Sequence, residues 1–161
     1  MTLHPQATPL DRLAALGLTL PPPPAPVANY IPFVVHGDLL YLSGQGPRQH
    51  DGTLRIGKVG RDIGVTQARA DAELTGLNLL AVAQAALGDL GRVKRVVKLL
   101  GMVNAVPDFG DHPKVIDGCS SLFVEVFGDA GRHARSAVGL GSLPDGITVE
   151  IEAIFAISDR A

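Results

Sequence analysis

The sequence predicts an α+β domain in which two helices pack on one face of a mixed β-sheet. Three observations carry that prediction. Residues 65–87 form a long apolar stretch in which Leu74, Leu77 and Ala81 recur at helical period, widened by Leu80, Ala83 and Leu87. Residues 93–103 are dense in Val and Leu, the composition of a central strand. Residues 147–157 include the alternation Val149-Glu150-Ile151-Glu152-Ala153, as a strand with one covered face requires. With a hairpin before the long helix and a second helix before the last strands, the order is ββ(β)αβαββ.

The elements follow in order. Thr8 caps a short helix with Pro9 at its first position and Asp11 completing an approximate capping box; Gly17 ends it. Pro21 to Pro24 and Pro26 make a stiff extended connector. Residues 1–28 are therefore a leader, and residues 29–161 are the domain. Ile31 to Val35 and Leu39 to Ser43 form a hairpin around His36-Gly37-Asp38, with Pro32 marking an edge or strand start. Asp51-Gly52 turns the chain into a short strand near Leu54 and Ile56. After the long helix, Gly88 and Gly91 bracket a break. Asp111 and Pro113 start a second helix that runs to about Phe127. Gly128 to His133 is a loop. Strands 134–141 and 147–157 are joined by the turn Leu143-Pro144-Asp145-Gly146 and read as a hairpin.

Composition narrows the function. The 161 residues fit one domain; 46% are hydrophobic and only 19% charged, which excludes a disordered chain. Aromatics are 4% and Trp is absent, so the apolar bulk is Ala, Val, Leu and Ile; this predicts a subunit interface. Net charge is −2, with no basic field for nucleic acid. One cysteine, Cys119, leaves no intrachain disulfide and no thiolate cluster, and predicts a reducing cytoplasm. No stretch reads as a signal peptide or membrane span. His4, His36, His50 and His112 share no metal-ligand spacing, so no metal site is expected among them; dinucleotide, Walker and G-x-S-x-G motifs are absent.

Four stretches in order resemble the RidA/YjgF family: Tyr30 in the first strand, Ser43-Gly44-Gln45 closing the second, Val96-Val97-Lys98 after the long helix, and Ala134-Arg135-Ser136-Ala137-Val138 followed by Leu143-Pro144 and Val149-Glu150-Ile151-Glu152-Ala153. The likeness spans Tyr30 to Ile157, about four-fifths of the chain. It implies a subunit like the bacillus-type chorismate mutase, a homotrimer with clefts between subunits, and hydrolysis of enamine/imine intermediates to 2-oxo acids and ammonia without cofactor. Three departures stand out. The leader is extra. Gln67 and Asn78 lie eleven apart where the family has Gln and Asn seven apart, which predicts an added helical turn. Ala137 replaces the family's cysteine.

Arg135 carries a planar donor fork that matches a carboxylate, and the resemblance makes it the clamp for an imino acid. Its competing reading is a strand arginine paired with Glu150 or Glu152. Glu150 is implied as the group that orients water and passes protons to departing ammonia. In a hairpin centred on Pro144-Asp145, Glu150 opposes Gly139 and Arg135 lies on the same face four residues along, about 13 Å away. Ala137, on the Arg135 face, would contribute backbone groups or simply pack. Tyr30 and Ser43 are implied hydrogen-bonding pocket residues, with Gly44 beside them. Phe109 walls the cleft or packs in the core. His133, two residues before Arg135, is a titrating donor near the cleft or a solvated loop residue.

Two functions are weighed. One is a trimeric imine/enamine deaminase acting on a small imino acid and releasing a 2-oxo acid. The other is a non-catalytic module that binds small carboxylates on the same fold. Turnover separates them. A ribonuclease role is disfavoured by the acidic balance and sparse aromatics.

Overall fold

The structure is a computed structural model that describes residues 7–23, 25 and 29–158. Pro24 and Pro26 of the connector, and His4, lie outside the described residues. Helix α1 (Pro9–Ala15) starts as its sequence predicts: the Thr8 hydroxyl accepts the Asp11 N–H at 3.1 Å and the Asp11 carboxylate accepts the Thr8 N–H at 2.9 Å. Its Leu13 is buried, and Arg12 Nη1 donates to the Val126 carbonyl. Helix α1 is thereby tied to the chain near Val126.

Strands β1 (Phe33–His36) and β2 (Leu39–Gln45) form the expected antiparallel hairpin, with Gly37 at φ 59° in its turn. Strand β1 starts only after Pro32, however, so Tyr30 precedes the strand expected to hold it. Helix α2 (Val65–Leu87) leads through a short 3₁₀ turn to β3 (Val93–Asn104). Helix α3 (His112–Phe127) leads to β4 (Ala134–Leu140), and β5 (Val149–Ile157) ends the fold. The sheet order is β1-β2-β5-β3-β4. Strand β4 runs parallel to β3, while β5 is antiparallel to both β2 and β3. The two crossovers, β2-α2-β3 and β3-α3-β4, advance the same way across the sheet; with the usual right-handed sense this puts both helices on one face.

Three expectations are corrected. Strands β4 and β5 are not a hairpin, because β3 lies between them. The segment Pro144–Gly146 is a 3₁₀ turn after which the chain passes β3 and enters the slot between β2 and β3. The reason is burial: Val149, Ile151, Ala153, Phe155 and Ile157 are all buried, which a strand flanked on both sides achieves. The more exposed β4 takes the edge. The strand expected near Leu54 and Ile56 is reduced to isolated bridges, Arg48 with Leu54 and Ile56 with Ile147. The loop 128–133 contains a 3₁₀ turn, Gly128–Gly131.

The core lies between the helices and one face of the sheet, with Phe123, Phe155, Leu79, Leu80, Leu99 and Ile116 fully buried. Helices α2 and α3 meet where glycine removes a side chain: a Cβ on Gly118 would overlap the Arg69 carbonyl oxygen. Cys119 beside it is fully buried, and burial pushes its thiol well up, so it packs as a small apolar residue. Among the described residues, the other face of the sheet carries no helix. Val34, Tyr41 and Val138 are exposed on it. Among the described residues, no helix is long and apolar enough to cross a membrane.

Substituting Gly118→Ala should force the two helices apart and destabilise the fold by about 2 kcal/mol or more, read as a shift in the urea midpoint. A change within about 0.5 kcal/mol would show that the helices separate freely.

Candidate functional site

The sheet register decides how the predicted residues are grouped. Along β5 the odd residues face the helices and the even residues, Glu150 among them, face the uncovered side. Glu150 pairs with Met102 of β3, and Arg135 of β4 pairs with Leu99, whose side chain is in the core. Arg135 therefore points to the helix face and Glu150 to the open face. Two strand spacings and three residue rises separate them, about 14 Å. The expectation that they share a face is thus wrong, and its cause is the inserted β3. Among the described residues, Arg135 forms no ion pair with Glu150 or Glu152, so its competing reading is not met.

One group forms around Glu150. It lines a cleft of about 550 Å³ together with Tyr30, Gly44 and Gly46. The β2–β5 register shifts between Leu42 and Gln45, so the Ser43-Gly44 step is irregular. A Cβ on Gly44 would overlap the Glu150 carboxylate, and one on Gly46 would lie 2.8 Å from Ile147 Cδ1. Glycine at these positions makes room for the acid. Ser43 is not on the cleft wall: its hydroxyl donates to the Ile31 carbonyl at 2.7 Å, tying β2 to the segment that carries Tyr30. The leader supplies a further wall through Pro21, Pro22 and Pro23. Glu150 is half-buried, and burial, then the charge of Glu152, raises its carboxyl above the usual value.

The second group lies on the helix face of β4. Arg135 Nη1 donates to Asp117 Oδ1 at 2.7 Å and to Ser120 Oγ at 3.0 Å, both on α3. His133 is half-buried, not solvated. Its Nδ1 lies 2.6 Å from the Gly131 carbonyl, so Nδ1 carries the proton, and a neutral Nε2 accepts from Ser120 at 3.0 Å. Burial, and secondarily the Arg135 charge, holds His133 below the ordinary histidine range, which agrees with a neutral ring. Ala137 packs against the core on this face. Phe109 also packs there, edge-on to His112 with ring centroids 5.0 Å apart, away from the Glu150 cleft. The eight predicted residues thus fall into two groups, one around Glu150 on the open side and one on the helix side of β4.

This fold and its split site invite comparison with known proteins. The model of a family described as “YjgF/chorismate_mutase-like, putative endoribonuclease” matches residues 10–146. The chain belongs to this YjgF family. Protein TCP17 of Trypanosoma cruzi is 43% identical over 148 residues, covering 91% of this chain and 92% of that one. The crystal structure of Atu1372 from Agrobacterium tumefaciens, a protein of unknown function, superposes with a TM-score of 0.85 at 49% identity, covering 91% of this chain and 92% of its own. A 2-iminobutanoate/2-iminopropanoate deaminase of Dermatophagoides farinae is 28% identical over 141 residues, with 87% and 94% covered. The YjgF fold expected from the sequence is therefore established for this chain.

Sequence reasoning missed the polar groups that hold the Glu150 half in place. Asp71 is buried in α2, accepts from Thr148 Oγ1 at 2.8 Å and Gln67 Nε2 at 2.9 Å, and lies 3.6 Å from Arg55 Nε. Thr148 is two residues before Glu150, so this contact fixes where β5 begins. Asn78, also buried, donates to the Arg48 carbonyl at 2.9 Å. Asp71, Thr75 and Asn78 recur at helical spacing on the buried side of α2; that polar stripe was the available signal. Among the described residues, no group of three or more His, Cys, Asp or Glu side chains is arranged to hold a metal ion.

Two predictions follow from Glu150. Because the obstacle to a Cβ at Gly44 is the end of a flexible side chain, Gly44→Ala should displace the Glu150 carboxylate while moving Tm by only a few degrees; a crystal structure with Glu150 unmoved would contradict this. The raised carboxyl means the folded state holds a proton that the unfolded state has released, in the interval above the ordinary value of 4.5. Stability conferred by that proton falls as pH rises through this interval. Glu150→Gln should therefore be more stable than wild type at pH 7, with the gain vanishing near pH 4, as read by denaturant midpoints.

Proposed function

We propose that this YjgF-family protein hydrolyses imines and enamines of amino acids to 2-oxo acids and ammonia, in clefts completed by a second copy of the chain. The observation that carries the reading is the seating of Glu150. It is a half-buried carboxyl with raised proton affinity, lodged against a glycine in a cleft that also holds the Tyr30 phenol. Such a group takes a proton from water as its oxygen attacks the imine carbon. It then returns that proton to nitrogen as the C–N bond of the carbinolamine breaks; ammonia leaves, and the remaining hydroxyl proton passes to solvent as the carbonyl forms, the imine having entered in its protonated form. Imines hydrolyse in water unaided, so orientation and one acid/base meet the need.

Arg135 supplies the carboxylate clamp. Its Nη1 is engaged by Asp117 and Ser120, which leaves Nε and Nη2 for a carboxylate. It sits on the β4 edge strand, far from its own chain's Glu150, so a neighbouring copy must deliver it. The uncovered sheet face, with Val34, Tyr41 and Val138 exposed, is the surface on which copies would meet as a homotrimer. Residues 1–28 serve the 29–161 domain as an accessory segment, since Pro21–Pro23 wall the same cleft. Ser43 holds Tyr30's segment, and His133 steadies Arg135 through Ser120. The one buried cysteine agrees with a cytoplasmic setting.

A second reading keeps the cleft and omits turnover, as a small-carboxylate sensor. Ala137 in place of the family's cysteine favours it. The experiment follows ammonia and 2-oxo acid from an imine generated in situ. Wild type should exceed the buffer rate, and Arg135→Ala and Glu150→Gln should each lose about 10²-fold. A wild-type rate equal to buffer, with thermal stabilisation by 2-oxo acids, would establish the sensor instead.

A further inference from the structure

The Glu150 cleft contains a cation of its own chain that the two-copy arrangement does not use. Arg48 lines this cleft, on the turn that follows Gly44-Gln45-Gly46. Its placement is built. The Arg48 carbonyl accepts from Asn78, a buried side chain of the long helix, at 2.9 Å, and the residue bridges to Leu54 across the Asp51-Gly52 turn. Its Nη1 donates to the Gly52 carbonyl at 2.9 Å, which holds the guanidinium across the turn. That contact is to a neutral oxygen. Among the described residues, Arg48 forms no ion pair with a carboxylate, as is also true of Arg12, Arg69, Arg92 and Arg95, but Arg48 alone of these lines the Glu150 cleft.

The rest of the lining shows what Arg48 would receive. The Pro21, Pro22 and Pro23 wall has no backbone N–H to donate. Glu150 and Asp145 also face the cleft, and as acids they repel an anion. Of the side-chain donors on the cleft, which include Tyr30, Gln45, Gln49, His50 and Arg48, the guanidinium of Arg48 is the one with a permanent positive charge. A ligand with its reacting carbon at Glu150 and a second anionic group reaching Arg48 engages both side chains of the lining. A ligand with an apolar far end leaves the guanidinium without a charged partner.

We infer that Arg48 is a second anion anchor, and that the preferred substrates are imines of acidic amino acids, whose products are 2-oxo dicarboxylates. This rests on the reading of Glu150 and Arg135 given above and adds the side-chain specificity to it. Arg135 of the neighbouring copy would hold the carboxylate next to the imine, and Arg48 the distal one. A guanidinium fork engaging a carboxylate confers discrimination of roughly tenfold or more over a ligand that lacks it.

The test is calorimetric binding of 2-oxoglutarate and 2-oxobutanoate to the full chain, as wild type, Arg48→Gln, Arg48→Lys and Arg135→Ala, each checked for an unchanged melting transition. Wild type should bind 2-oxoglutarate about tenfold or more tightly than 2-oxobutanoate. Arg48→Gln should erase most of that preference, with a much smaller change for 2-oxobutanoate, and Arg48→Lys should retain part of it. Equal wild-type affinities, a preference that survives in Arg48→Gln, or no binding of either ligand would overturn the inference. Because the readout is binding, it is separable from the deaminase reading. Loss of the preference in Arg48→Gln without any turnover by wild type would sink that reading and leave the anchor. Turnover without the preference would do the reverse.

Discussion

The placement of β5 between β2 and β3 is the constraint on which the rest of this structure depends. Two parallel strands carried by successive crossovers leave a vacant slot, and the last strand fills it antiparallel to both. Its odd residues then complete the core beneath the helices. Its even residues, Glu150 first among them, are fixed on the open face by the same register, because a one-residue slip would exchange the two sets. The buried contact between Asp71 and Thr148 anchors the start of this strand to the long helix. Core formation and the position of the candidate acid are one event.

That arrangement also separates charge by face. Glu150 and Glu152 sit together on the uncovered side, and burial, then the charge of Glu152, disfavours ionisation of Glu150. Arg135 sits on the helix side with a carboxylate partner and a neutral histidine reached through a serine. A sheet one residue thick keeps these apart within a chain, and no side-chain rotation brings them together. Chemistry that needs both groups therefore requires a second chain. The exposed Val34, Tyr41 and Val138 face offers the apolar area for such an encounter.

Glycine has a positional role in two places. At Gly118 its missing Cβ lets helix backbones touch, which brings α3 and its Asp117 and Ser120 over β4. At Gly44 it yields space to the Glu150 carboxylate. The first serves packing and the second serves the cleft. The proline run of the leader does the complementary work, walling the cleft with a surface that is stiff and cannot donate hydrogen bonds.

The elements themselves were legible in the sequence, since helix α2, the first hairpin and strand β3 are local consequences of periodicity and turn chemistry. So was the family, carried by short stretches such as Ser43-Gly44-Gln45 and Ala134-Arg135-Ser136. The identity of the candidate residues came with it. Pairing did not. Strands β4 and β5 read as a hairpin because a Pro-Asp-Gly turn separates two strand-like runs, and local sequence contains no term for a third strand inserting between them. The face on which Arg135 lies, the split of the site into two halves, and the entry of Arg48 and the leader prolines into the Glu150 cleft were decided by tertiary structure alone. They depend on contacts between residues far apart in the chain, and periodicity along one segment reports only on which of its own residues share a face.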